Sequence, residues 1–503
     1  MSSKTAEFIF LYPKTGLDVG GAVAPPFSSM YASVLLHEAD YRIKIIDQRK
    51  EQNWRRILSV ELKKEPTFVG ITSMTGPQVK FAIEMASYVR KESSVPIVWG
   101  GPHVSTLPKQ TVESEYCDIA VVNEGEEAVL EIGKALEDNK PLDDINGIYY
   151  KQNGKILSTP PRSLIDVNTL PDTPWELVDV EKYIFRFFYI KNKLNRVMDI
   201  GETSRGCPFK CKYCSNSQIK KRIWRPMTAQ KTLAKIVNDV REFELDGIWI
   251  RDDNFFVDLK RVKEICQGFI DSKLNIGWYT AGTRVNDINR MDDDLLSLIK
   301  KSGCSTFKIG AESGCNRILK YIDKVQTRED IFRANEKVAK SNIASIYTFM
   351  IGFPTETREE MLETIETMKQ VQKDNKDAMI DAMNMFTPHK GTPLYDEALK
   401  LGLKEPESLV GWQDWNFRGK NQAEWFTYSE RSFIENACDI SIYCENVRRF
   451  FDSMKNPIMR ITLRFLMYIP EKYFRLKWKY NLFGSDPILV LMRNIRKVWL
   501  KEF

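Results

Sequence analysis

Histidine is scarce in this chain, with three among 503 residues. A zinc site or an acid–base relay built on imidazole therefore has little to draw on. No run of about 18 uninterrupted apolar residues occurs, so no helix is expected to span a membrane. The opening Met1-Ser-Ser-Lys-Thr-Ala-Glu7 passes straight into Phe8-Ile-Phe-Leu-Tyr12 and lacks the longer apolar region of a secretory signal. Nine cysteines, three of them clustered, are too few for a disulfide scaffold in a chain of this length and point to a reducing, cytoplasmic setting. The remaining composition, 43% hydrophobic and 28% charged, is that of a globular protein of two or three domains and argues against extensive disorder.

What is present is concentrated in Thr203-Ser-Arg-Gly-Cys-Pro-Phe-Lys-Cys-Lys-Tyr-Cys-Ser215. Cys207, Cys211 and Cys214 form a C-x3-C-x2-C triplet, with Gly206 and Pro208 bending the backbone around the first thiol. Three thiolates on one loop suit a cuboidal iron–sulfur cluster, which normally takes four cysteines. Three leave one iron open to a small molecule. Zinc would want paired C-x2-C half-sites or a nearby histidine, and His103 and His389 lie far off in sequence. Three unrelated core cysteines would fit poorly in so polar a segment bounded by Gly and Pro.

Residues 1–140 alternate short apolar runs (Phe8–Tyr12, Arg42–Asp47, Phe68–Ser73, Ile97–Gly100, Ile119–Val122) with helical stretches near 27–39, 53–64, 77–92, 106–115 and 126–137. That alternation predicts a doubly wound, Rossmann-like parallel sheet with a ligand beyond the C-terminal strand ends. The loops there are rich in small residues: Gly20-Gly21, Ser73-Met-Thr-Gly76, Gly100-Gly-Pro-His103 and Asn123-Glu-Gly125. Small residues let a large ligand approach the backbone closely. On chemistry alone the ligand is a nucleotide, a flavin or a corrin. Residues 141–190 are rich in proline and turns, a linker or wrapping segment with a hairpin at Gly147–Ile156. From 191 to 400 strands and helices alternate again, which suits an incomplete (β/α) barrel whose chemistry gathers at C-terminal strand ends. Residues 401–503 are expected to be mostly helical.

The triplet, with Tyr213 before its last cysteine, resembles that of the radical S-adenosylmethionine (SAM) enzymes. Val98-Trp-Gly-Gly-Pro-His-Val-Ser105 followed by Val122-Asn-Glu-Gly-Glu126 resembles the cobalamin-binding domain of the cobalamin-dependent members of that group. The resemblance covers about residues 5–400 and implies an α/β chain: a Rossmann-like cobalamin domain, a partial (β/α)6 radical SAM barrel, then the helical region. It implies a 4Fe–4S cluster on Cys207, Cys211 and Cys214, with SAM on the open iron. It also implies cobalamin against Ser73, Thr75, Gly100, Gly101, His103, Glu124 and Gly125. The D-x-H-x-x-G motif that ligates cobalt from below in many cobalamin proteins is absent, so His103 is expected near the ligand's tail or capping a helix. For SAM the expected contacts are Asp252 and Asp253 to the ammonium, Arg284 to the carboxylate, Glu312 and Ser313 to the ribose, and Gly352 with Pro354 along the adenine. The bland alternatives are a helix cap for the Asp pair and a solvated loop charge for Arg284.

Two chemistries of the group compete. In one, a carbon radical takes a methyl group from methylcobalamin. In the other, as in anaerobic magnesium-protoporphyrin ester cyclases, substrate oxidation closes a ring. Methyl transfer is the expected outcome, and a non-catalytic cobalamin-binding regulator is the third reading. A flavodoxin- or ferredoxin-type protein is the expected electron donor. From Asn446 to Phe503, 13 Lys and Arg face 4 Asp and Glu, interleaved with apolar and aromatic residues. Such a pattern suits peripheral contact with an anionic membrane and hence a lipid-like substrate, or else a basic cap over the barrel. No nucleic-acid module accompanies the charge.

Overall fold

The computed structural model describes residues 7–16, 18, 23–189, 192–415, 425–445 and 457–501. They fall into two compact units.

The first unit takes residues up to Asp18, Ala24–Tyr183 and Glu405–Gly419. Its parallel strands are β1 (Glu7–Tyr12), β2 (Arg42–Asp47), β3 (Phe68–Thr72), β4 (Ile97–Gly100) and β5 (Ile119–Val121), in the order β2-β1-β3-β4-β5. Each central strand is a continuous apolar run, as a sheet covered on both faces requires. The order reverses between β1 and β3, which places the ligand crevice outside their C-terminal ends.

Three features differ from the sequence reading. The helix expected at 106–115 is two short helices, Pro102–Thr106 and Pro108–Glu113. Each proline sits in a first turn, where its missing N–H costs nothing, and Pro108 cannot continue the preceding helix. The segment expected to link or wrap completes this sheet instead: β6 (Ile148–Gln152) and β7 (Lys155–Ser158) add an antiparallel edge beyond β5. Residues 405–415, grouped by sequence with the C-terminal region, pack here too, Trp412 Nε1 donating to Gln110 Oε1 at 2.6 Å.

In the second unit β8 (Phe185–Tyr189) pairs antiparallel with β9 (Asn192–Asp199). A short ribbon, β10 (Ser204–Arg205) with β11 (Arg225–Pro226), follows. Beside β9, in order and all parallel, run β12 (Gly247–Ile250), β13 (Gly277–Arg284), β14 (Cys304–Glu312), β15 (Ala344–Ile351) and β16 (Ala378–Ile380), with β17 (Asn384–Met385) also on β15. Among the described residues the sheet stays open between β8 and β16. Polar caps start the surrounding helices: Thr228, Asp258, Asp292, Thr327, Thr357 and Thr392 each accept from an N–H of the first turn. Asp258, not Asp252 or Asp253, caps the helix after β12. Helices Tyr428–Glu445, Pro457–Lys479 and Pro487–Lys501 complete the unit.

Candidate active site

A cavity of about 190 Å³ opens at the C-terminal ends of the barrel strands. Cys207, Cys211 and Cys214 line it with Phe209, Tyr213, Asp253, Thr283, Arg284, Glu312 and Lys324. The loop that brings in the thiols is tied down at both ends. At its start the Gly206 N–H donates to Asp253 Oδ2 at 3.0 Å, with Gly206 at φ +83°. A side chain there would meet the Ile223 carbonyl oxygen at 2.1 Å, so only glycine fits. At its end the Lys212 N–H donates to the Ile322 carbonyl, and the Leu394 N–H donates to that of Lys212. Tyr213 packs on the apolar cluster Ile318, Ile322, Phe353, Phe386 and Leu394.

Asp252 anchors the strand leading into this loop. Its carboxylate, 2% exposed, accepts from the N–H and hydroxyl of Thr203 (2.5 and 2.8 Å) and of Ser204 (3.0 and 2.6 Å). Arg261 grips the same turn through the Thr203 carbonyl and hydroxyl, each at 3.0 Å. The structure therefore takes Asp252 away from the cavity, its lone pairs occupied, and leaves Asp253 at the wall.

Three other expected contacts also lie outside the cavity wall. The Ser313 hydroxyl pairs with that of Thr364 at 3.1 Å and accepts from the Cys315 N–H. Gly352 and Pro354 belong to a buried loop folded around Glu356, whose Oε2 accepts from the Gly352 N–H at 2.6 Å and the Phe353 N–H at 3.0 Å. Burial pushes the Glu356 carboxyl up to about 8. A carboxyl held neutral in the native state and ionised in the unfolded one stabilises the fold below its unfolded pKa, and this contribution fades as pH rises through the folded value. The contribution of this one carboxyl to the unit's unfolding free energy is therefore expected to fall from pH 5 towards pH 8, at a limiting slope of about 1.4 kcal/mol per pH unit. Glu356→Gln should flatten that slope in thermal melts, and an unchanged slope in the variant would count against the assignment.

Glu312 and Arg284 do reach the cavity, with a partner that sequence reasoning missed. Lys324 Nζ donates to Glu312 Oε1 at 2.8 Å and to the Tyr213 hydroxyl at 3.1 Å. Glu312 holds φ +67° at a break in the β14–β15 register. Lys324 is flanked by Asp323 and Val325 at φ +55° and +56°. Left-handed backbone at a β-branched residue is strained, and such strain collects at functional sites. Nothing in Tyr321-Ile-Asp-Lys-Val-Gln326 announces it; the turn is visible only in three dimensions. Arg284 Nη1 lies 3.2 Å from Cys211 Sγ, and Nη2 donates to the Lys324 carbonyl.

The residues fit an iron–sulfur cluster. None of the three thiols is tied up in a disulfide, and burial pushes that of Cys207 up and that of Cys214 up to about 11, so iron would be bound with loss of protons. Among the described residues no three His, Cys, Asp or Glu side chains converge on one ion, as zinc requires, whereas a cluster gives each thiolate its own iron.

In the first unit, Ser73, Thr75, Gly100, Gly101 and His103 gather at the ends of β3 and β4. The His103 N–H donates to the Ser73 carbonyl, and His103 Nδ1 lies 3.0 Å from Thr75 Oγ1. Gly101, at φ +98°, backs onto Ser73, while no atom of the described residues lies within 4 Å of where a Gly100 side chain would begin. That opening, together with a buried His103 Nε2 that has no hydrogen-bond partner among the described residues, fits the close approach of a large ligand. Burial lowers His103 to about 4, so the ring is neutral. Glu124 instead holds the Ile165 N–H at 3.0 Å, and Gly125 precedes the helix Glu126–Glu137. Gly20 and Gly21 lie outside the described residues. Trp412 and Trp415 are buried in this unit, whereas Trp425 packs on Phe386 in the other.

Comparison with known proteins agrees with both halves. The B12 binding domain model matches residues 13–133, and the Radical SAM superfamily model matches 202–368. An uncharacterized methyltransferase of Pyrococcus horikoshii is 33% identical over 391 residues, covering 76% of this chain and 81% of its own length. The anaerobic magnesium-protoporphyrin IX monomethyl ester cyclase of Rubrivivax gelatinosus is 29% identical over 342 residues, which is 66% of this chain and 58% of that protein. The solved structure of the cobalamin-dependent SAM radical enzyme OxsB with aqua-cobalamin and SAM superposes with a TM-score of 0.73, at 16% identity, over 98% of this chain and 75% of that one; it shows the shared fold. The chain belongs to the radical SAM superfamily, in the group with an N-terminal B12-binding domain, and is an enzyme of that group using a 4Fe–4S cluster, SAM and cobalamin.

Proposed function

We propose that the enzyme transfers a methyl group to an unactivated carbon of an apolar, lipid-like substrate. The observation that carries this reading is a cavity in which three cluster-type thiols share walls with Asp253, Glu312 and Lys324. When bound, the cluster with SAM supplies a hydrogen-abstracting radical, and cobalamin supplies the methyl carrier. Cys207, Cys211 and Cys214 hold the cluster. Asp253 accepts from the SAM ammonium, and Glu312 accepts from its ribose hydroxyls. Lys324 releases one of its present partners to meet the SAM carboxylate. Ser73, Thr75, Gly100, Gly101 and His103 contact the corrinoid, with Glu124 and Gly125 shaping the neighbouring loop. A flavodoxin- or ferredoxin-type protein delivers the electron in a reducing, cytoplasmic compartment.

The methyltransferase name of the relative at 33% identity supports methyl transfer over ring closure. The test is anaerobic reconstitution with iron, sulfide, hydroxocobalamin, SAM and a strong reductant, followed by mass spectrometry of 5′-deoxyadenosine and S-adenosylhomocysteine. Both products are expected, the second also dependent on cobalamin. 5′-Deoxyadenosine alone, with the true substrate present, favours the cyclase-like reading. Neither product from cluster-loaded protein sinks the proposal.

The lipid-like substrate rests on the helix Pro457–Lys479. No helix among the described residues is long and apolar enough to cross a membrane. Even so, Ile458, Ile461, Phe465, Ile469 and Leu476 form one outward stripe, Phe465 81% exposed and Ile469 76%, with Arg464 and Lys472 also exposed. Phe474 and Trp478 are buried on the opposite face. An apolar ridge edged with cations matches an anionic lipid surface, each cation contributing about 1 kcal/mol. Flotation should show binding to vesicles containing phosphatidylglycerol but not to phosphatidylcholine alone, with a loss of about tenfold in the F465D/I469D double variant. No binding to either vesicle, or self-association through this helix, removes the membrane from the proposal.

A further inference from the structure

Arg284 is only 6% exposed, yet among the described residues no carboxylate pairs with its guanidinium. A buried cation is costly unless an anion or well-placed acceptors compensate it. The surroundings of this one are specific. Nη1 lies 3.2 Å from Cys211 Sγ, and Nη2 donates to the Lys324 carbonyl, which the left-handed residues Asp323 and Val325 turn towards it. The Phe209 ring lies over the guanidinium, its centroid 3.7 Å from Cζ. The group at hydrogen-bond distance that can carry negative charge is a sulfur, not the carboxylate of a neighbour.

We infer that Arg284 donates a hydrogen bond to the Cys211 thiolate of the bound cluster and raises the cluster's reduction potential. This rests on Cys207, Cys211 and Cys214 being the ligands. One-electron reduction by a low-potential donor adds a negative charge to an already anionic cluster. An N–H aimed at a ligating sulfur, and a full positive charge behind it, stabilise the reduced form more than the oxidised form. Arg284 keeps all its protons throughout, so the effect is electrostatic. It is a positioning residue acting through Cys211, distinct from the SAM-carboxylate partner that its place after a barrel strand suggests.

The test is an EPR-monitored potentiometric titration of reconstituted protein without SAM, comparing native protein with Arg284→Leu, Arg284→Lys and Arg284→Gln. In Arg284→Leu the reduced-to-oxidised ratio at a fixed potential should fall about tenfold, equivalent to about 59 mV for one electron. Arg284→Lys, which retains the charge, should fall less. A native potential in Arg284→Leu at native iron content overturns the inference. Weakened SAM binding with an unchanged potential also overturns it and returns Arg284 to the SAM carboxylate. If Arg284→Leu loads no cluster, the other two variants decide: Gln, a donor without charge, should lie below Lys, and equal potentials in native, Lys and Gln proteins overturn the inference. Failure of the ligand assignment shows separately, as a native protein that takes up no cluster or an Arg-independent cluster that survives Cys211→Ala.

Discussion

Cys211→Ala is expected to abolish 5′-deoxyadenosine formation, with a loss of more than about 10³-fold, because no other group in the cavity can deliver an electron to SAM. The three thiols are not equivalent in their surroundings. Cys211 is the one 6% exposed, and it faces Arg284. Its removal takes away a ligand and leaves the buried Arg284 guanidinium without its sulfur partner. Cys207→Ala and Cys214→Ala should give the same loss of activity. Iron and sulfide content and the visible absorption of the reconstituted protein report the cluster directly. Cys266→Ala is the control: that thiol is buried in the helix Leu259–Asp271, away from the cavity, and its loss should leave cluster content unchanged. Native iron content and product formation in Cys211→Ala would refute the assignment.

Asp252→Ala should produce the second largest effect, and its neighbour should behave differently. Removing the Asp252 carboxylate leaves two backbone N–H groups and two hydroxyls of Thr203 and Ser204 without their acceptor, and takes a negative charge away from Arg261. Breaking a buried charged network of this kind costs about 3–5 kcal/mol. The turn that feeds the cysteine loop loses its anchor, so cluster content should fall together with melting temperature. Asp253→Ala removes a cavity-wall carboxylate held by the Gly206 N–H and the Asn216 side chain. It should lower the melting temperature less than Asp252→Ala does, because its carboxylate is exposed and ties the loop through one backbone N–H, while weakening SAM binding. Equal effects of the two variants on stability would show that the division between anchor and wall is wrong.

The distinction between these adjacent aspartates marks the limit of what local sequence carries. Strand β12 ends at Ile250, and alternation along an extended chain sends Asp252 and Asp253 to opposite sides. Which side holds the cysteine loop depends on Thr203 and Ser204, nearly fifty positions earlier in the chain. The helix at 106–115 failed locally for a local reason, two prolines at first-turn positions, and could have been divided by inspection. The misplacement of residues 141–183 and 405–415 was not local: turn-rich composition says that a chain bends, not which sheet edge it then joins.

The cluster loop is legible in its own residues, because three thiols within eight residues, bent by Gly206 and Pro208, specify their chemistry without distant help. So are the strand–helix alternation of both units and the small-residue loops at Ser73 and Gly100, since periodicity and side-chain size act over a few residues. What surrounds those thiols comes from long-range packing. Arg284 meets Cys211 across 73 positions, and the Lys324 carbonyl meets Arg284 across 40. Lys324 enters on a turn that its own sequence does not announce. Contacts of that separation are set by strand register and by where each loop is pinned, and neither is written in the residues that make the contact.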